Sequence, residues 1–264
     1  MKKQIIVLVA LASLAAGYTT AYAAAGSAGG GIVGSKHDMN MWIAQYGGTK
    51  DAEARVCAYC HTPHHAVDPT TQVEVTVGAD IVPYTAYAPL WSRAIDYTKG
   101  YDQYNSATFD PSVEGKFYDP LAGPSRLCMS CHDGSVAADS YYGVTNGTAI
   151  TGDDVLSLGG GKHIAIGLNM GLSNDHPIGF VYDEMVANTD NELKTADAVF
   201  IGGSKTIGSV MAEVAGKKVM TCASCHDVHN GDAVINKPAS GRGYFLLAKQ
   251  EKSDICLSCH DKNQ

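Results

Sequence analysis

Cys57-Ala-Tyr-Cys60-His61, Cys128-Met-Ser-Cys131-His132, Cys222-Ala-Ser-Cys225-His226 and Cys256-Leu-Ser-Cys259-His260 are four copies of one string, C-x-x-C-H. Together they use all eight cysteines of the chain. C-x-x-C-H is the attachment signal for c-type haem. Each thiol adds across one vinyl group, and two intervening residues set the sulfurs at the separation of the two vinyls. The adjacent histidine is then held under the iron as proximal ligand. Four covalently bound haem c groups are therefore expected, with His61, His132, His226 and His260 on their irons.

Competing readings of paired cysteines fit less well. Zinc ribbons do not need a histidine after every second cysteine. Redox-active C-x-x-C sites usually come singly, near a βαβ pattern that this chain lacks. A disulfide framework would pair distant cysteines and leave the four histidines unexplained.

Ten histidines are present, so six remain beyond the proximal four: His37, His64, His65, His163, His176 and His229. Six candidates for four distal positions suggest two histidines on every iron. Such an iron has no place for substrate and cycles electrons. His64 and His229 each follow a proximal histidine by three residues. Neither can wrap to the far side of its own haem. On a short helical turn, however, an i, i+3 pair points one way, towards a second haem packed on the first. His37 and His176 each stand beside an aspartate, a residue able to fix an imidazole tautomer. They complete the set of four, with His65 and His163 in reserve. Methionine is the competing distal ligand, with Met39, Met41 and Met129 near enough in sequence to consider.

Lys2 and Lys3, the apolar run Ile5 to Ala16 and the site Ala21-Tyr22-Ala23 read as a secretory signal peptide over residues 1–23. Twelve apolar residues are too few for a bilayer helix, which needs about 20. Cleavage leaves about 240 residues, enough for one large or two small domains. Without Lys2 and Lys3 the formal charge moves from −8 to −10. That acidity argues against nucleic acid, whose phosphates demand Lys and Arg.

The halves 24–150 and 151–264 read alike. Each has an isolated histidine beside aspartate, then C-x-x-C-H-x-x-H, then C-x-S-C-H-D. The spacings differ, with 71 residues from Cys57 to Cys128 and 34 from Cys222 to Cys256, so the duplication is one of motifs. With 29 glycines, the expected fold is mostly irregular coil with short α-helices and a few short β-hairpins, the haems forming much of the core. Gln72 to Val77 alternates like a strand, and Val210 to Thr221 reads as a hairpin turning at Gly216-Lys217. Short helices are expected over Asp51 to His61 and the other attachment sites. Tyr84, Tyr87, Trp91, Tyr97, Tyr101 and Tyr104 are candidate haem-edge packing groups with their hydroxyls kept wet. Gly159-Gly160-Gly161-Lys162 lacks the rest of a phosphate loop and reads as a plain loop.

The strings Cys57-Ala-Tyr-Cys60-His61-Thr-Pro-His64, Pro89-Leu90-Trp91, Ser125-Arg-Leu-Cys128-Met-Ser-Cys131-His132-Asp133 and Asn174-Asp175-His176-Pro177 resemble the doubled C-x-x-C-H tetrahaem cytochromes. Among these the chain is similar to the OmcE-type extracellular filament-forming cytochromes of metal-reducing bacteria. The resemblance covers most of the mature chain. It implies bis-histidine haems, little regular structure, and a homopolymeric filament passing electrons between subunits. Upstream periplasmic or outer-membrane cytochromes and extracellular acceptors are the implied partners. It also implies that a neighbouring subunit supplies one distal histidine, with His37 the candidate because it lies near the N-terminus. The extra His65 and His163 leave the ligand pairing open.

An exported electron carrier at the cell surface is thus the leading expectation, and a soluble periplasmic tetrahaem shuttle the runner-up. A multihaem reductase of nitrite or hydroxylamine needs an open position at one iron, which six spare histidines argue against. A zinc-stabilised binding module is the remaining class.

Overall fold

The computed structural model describes residues 31–106 (apart from 36, 47, 78, 79, 99 and 105), 119–133, 139–141, 166, 171–186, 192–201, 205–230 and 244–261. The leader, the boundary near residue 150, Gly159–Lys162 and His163 lie outside them. Coil dominates what is described, as expected. Among the described residues there are five short α-helices: α1 (Met39–Trp42), α2 (Ser125–His132), α3 (Tyr182–Val186), α4 (Ile207–Val210) and α5 (Asp254–Cys259). Two antiparallel hairpins pair β1 (Gln72–Val77) with β2 (Asp80–Thr85), and β3 (Ala212–Val214) with β4 (Lys217–Val219). No helix among the described residues is long and apolar enough to cross a membrane.

The first strand falls where its alternation places it, over Gln72–Val77. The second hairpin is shorter than the sequence suggests, and it turns one residue earlier. Val214 pairs with Lys217, leaving Ala215 and Gly216 as the loop, both at positive φ (50° and 74°). A two-residue loop with both central residues left-handed matches the twist of its strands. Val210 belongs to α4, started by Thr206, whose side chain accepts from Ser209 N.

The helix expected over Asp51 to His61 contracts to a 3-10 turn, Val56–Tyr59. Two features stop it growing backwards. Ala54 has φ 52°, and the Asp51 carboxylate takes the Arg55 amide as a side-chain acceptor at 2.6 Å. A short acidic side chain that binds nearby backbone offers it an alternative to the helix.

The apolar core is divided into patches. Phe180, Tyr182, Met185, Phe200, Ile207 and Met211 lead one, with Cys225 and Cys259 at its margin. Val73, Tyr84, Val181, Val214 and Val219 bring the two hairpins together in another. Ala88, Trp91 and Leu127 form a third, against Cys60. The second patch mixes residues from both sequence halves, so the halves share a core. Tyr84 and Trp91 are buried and Tyr87 is exposed. Tyr101 corrects the expectation of wet hydroxyls, since its phenol donates to the Asp133 carboxylate inside the chain.

Candidate metal centres

The four attachment strings adopt two alternating local forms. The first and third sit on 3-10 turns, Val56–Tyr59 and Cys222–Ser224, and the second and fourth on α2 and α5. In the three strings outside α2 the proximal histidine amide donates to the carbonyl of the first cysteine: His61 to Cys57 at 2.8 Å, His226 to Cys222 at 3.0 Å and His260 to Cys256 at 2.9 Å. All eight thiols are free. Burial pushes the Cys60 and Cys225 thiols up to about 12, so both are neutral at physiological pH.

The first and third sites match bond for bond. Ser92 N donates to Cys60 O at 2.9 Å, and Thr62 N to Leu90 O at 2.8 Å. In the second half Leu247 N donates to Cys225 O at 2.9 Å, and Asp227 N to Phe245 O at 2.8 Å. Isolated bridges His61–Trp91 and His226–Leu246 occupy the same place. Leu90 and Phe245 are both left-handed, with φ 54° and 59°. Each kink presents a main-chain carbonyl to the proximal ring: His61 Nδ1 lies 2.7 Å from Pro89 O, and His226 Nδ1 2.7 Å from Tyr244 O. A carbonyl only accepts, so the proton is on Nδ1 and Nε2 is free to bind a metal. Metal-binding histidines almost always donate their other nitrogen in this way. His176 does the same, with Nδ1 2.9 Å from Pro177 O.

Histidines of different strings meet in pairs. The ring centres of His37 and His132 are 6.2 Å apart, those of His61 and His229 6.2 Å, and those of His176 and His260 6.4 Å. An imidazole nitrogen sits about 2.0 Å from a bound metal ion and about 1.1 Å from its own ring centre, so two rings clamping one ion have centres about 6 Å apart. All three pairs have that spacing, and each joins one proximal histidine to one expected distal histidine. The residues present therefore fit a haem iron. Among the described residues no three His, Cys, Asp or Glu side chains converge as a metal site. A porphyrin iron asks its protein for only two axial donors.

His37, expected from the resemblance to reach a neighbouring subunit, faces His132 of its own chain. Its Nδ1 is buried without a hydrogen-bond partner. Burial first, then the nearby His132, His226 and His229, push its pKa down to about 4. The ring is thus neutral at physiological pH, the form that binds metal. Gly31 lets the chain reach this position, since a Cβ there would lie 2.4 Å from the carbonyl carbon of His229.

His229 reaches His61 by a turn other than the expected helical one. Its amide donates to the Asp227 side chain at 3.0 Å, and His64 N donates likewise to Thr62 Oγ1 at 3.3 Å. Both are side-chain turns of the kind Asp and Thr form with the amide two residues on. His64 is exposed, and among the described residues no imidazole faces it or His226. His65 is exposed at φ 58°.

Cys225 and Cys259, of the third and fourth strings, pack against the same apolar cluster. Cys222 N donates to Ser125 Oγ at 3.0 Å, tying the third string to the start of α2. Sequence reasoning missed the carbonyls of Pro89 and Tyr244 because they carry no side-chain signal. It also missed Ser125, although Ser-x-x-Cys recurs at Ser253.

No protein-family model, curated protein or solved structure matches this chain.

Proposed function

We propose that this chain is a tetrahaem c-type cytochrome that transfers electrons. The observation that carries the reading is the set of three imidazole pairs at 6.2 to 6.4 Å, each beside a C-x-x-C-H string. Cys57 and Cys60, Cys128 and Cys131, Cys222 and Cys225, and Cys256 and Cys259 hold the four groups as thioethers. His61 with His229, His132 with His37, and His260 with His176 would hold three of them, and His226 the fourth. Bound haem supplies reversible one-electron exchange at its iron. The chain fixes the Nδ1 proton of His61, His226 and His176, keeps the buried His37 ring neutral and ties the third string to the start of α2. Imidazoles paired at three of the four strings leave no room there for a substrate, and on that ground we read the protein as a carrier and not as an enzyme.

From the leader and the resemblance we further propose that the carrier works outside the cytoplasm, at the cell surface, as a filament that receives electrons from upstream cytochromes. Mass spectrometry of exported protein tests the reading. It should show the mature chain plus four haems, with a low-spin c-type spectrum. The bare polypeptide mass would overturn the proposal.

A further inference from the structure

We propose that Phe245 is a positioning residue for the second haem: its ring sets the plane in which His37 faces the iron it shares with His132. The inference rests on the haem reading above and names what governs one ligand of that site.

His61, His226 and His176 each have Nδ1 against a main-chain carbonyl, at 2.7, 2.7 and 2.9 Å. Such a bond fixes the orientation of the ring as well as its tautomer. His37 is held differently. Its main chain is pinned by side-chain turns, its amide donating to Ser35 Oγ at 3.1 Å and Gly34 N to the Asp38 carboxylate at 3.0 Å. Its ring has no such tie, because Nδ1 is buried without a partner. The torsion that rotates an imidazole about its own axis is broad, so packing has to choose the plane. Phe245 supplies that packing, with ring centres 4.8 Å apart and planes inclined at 37°. The separation lies within the range of favourable aromatic contacts.

The first half shows that the main-chain bend here does not need an aromatic ring. Leu90 stands at the matching position with φ 54°, against 59° for Phe245. Leu90 is 57% exposed and Phe245 only 5%. Both bends present the preceding carbonyl to a proximal ring. The second half therefore adds a task to the same bend. Its main chain serves His226, and its side chain serves His37.

The imidazole planes fall into two classes. His37 crosses His132 at 72° and His176 crosses His260 at 76°, while His61 and His229 are inclined at 28°. Crossed imidazoles leave the d orbitals of a ferric low-spin iron nearly degenerate. Such an iron gives a strongly anisotropic, low-field signal in electron paramagnetic resonance. Aligned imidazoles split those orbitals and give a rhombic signal.

Electron paramagnetic resonance of the oxidised, haem-loaded protein tests the proposal. Wild type should show both classes, with at least two crossed-type irons by spin integration. Phe245→Leu keeps the bend, as Leu90 does, and removes the ring. It should lose one crossed-type iron to a rhombic or high-spin signal and keep the rest. Phe245→Tyr retains the ring and should retain the wild-type spectrum. An unchanged spectrum in Phe245→Leu, loss of every low-spin signal in that variant, or the same loss in Phe245→Tyr as in Phe245→Leu would each overturn it. A bare polypeptide mass in these samples would instead mark failure of the haem reading.

Discussion

Single residues hold the candidate ligands in place from outside the motifs, and Asp51 shows how. Its buried carboxylate accepts from Arg55 Nε at 3.0 Å, Arg55 Nη2 at 2.7 Å and Tyr141 Oη at 2.8 Å, and its own amide donates to Tyr59 Oη at 2.8 Å. It thereby anchors the turn that carries Cys57 and Cys60. The Arg55 guanidinium, helped by Tyr141, holds its pKa well below the ordinary 3.8. A carboxylate depressed in the folded state adds stability that is complete above the unfolded pKa and is lost as pH falls through the folded one. Asp51→Asn should cost about 1.5–3 kcal/mol at neutral pH. The difference from wild type should shrink below pH 3.8, as read by chemical denaturation across a pH series. Gly31 acts at the second imidazole pair. Gly31→Ala would push the 31–35 segment off the His229 carbonyl, and should raise the high-spin fraction by the share of one haem in the optical spectrum.

Elements are short here because each is closed by a local device, and these devices were only partly legible. The alternation of Gln72–Val77 was enough to place a strand, since one face packs Val73 into the core. The second hairpin was found but misplaced by one residue, because Gly216 attracts the turn while Ala215 shares it at φ 50°. The left-handed region costs an L-residue roughly 1–2 kcal/mol, and glycine's looser unfolded chain returns about 0.4–1 of that. Ala215→Gly should therefore stabilise the protein by about 0.5–1 kcal/mol, a small rise in melting temperature by calorimetry. The four C-x-x-C-H strings were readable from chemistry alone. The pairing was not, because His37 with His132 and His61 with His229 are contacts across long loops, which leave no periodicity in the chain.

At the scale of the whole molecule, several small apolar patches take the place of one core. Three of the attachment cysteines, Cys60, Cys225 and Cys259, lie on the margins of these patches. Covalent groups bound there would seal the patches together, so losing one should loosen its own neighbourhood first. Replacing Cys57 and Cys60 together by serine should leave three haems by mass. It should also open new proteolytic cuts around Trp91 while the Phe180–Met211 patch stays protected. Cleavage spread evenly along the chain would contradict this. The repeated local geometry of the first and third strings was announced by the doubled motif.

The two left-handed kinks carry a consequence for how such a chain can change over time. Pro89 and Tyr244 have nothing in common as side chains, yet both offer the same main-chain oxygen to a proximal ring. Because any amino acid supplies that oxygen, substitutions at either position leave the imidazole's proton where it was, provided the bend survives. The residue types there are free to drift while the ring keeps its tautomer, and two sequences can grow far apart yet hold these imidazoles alike.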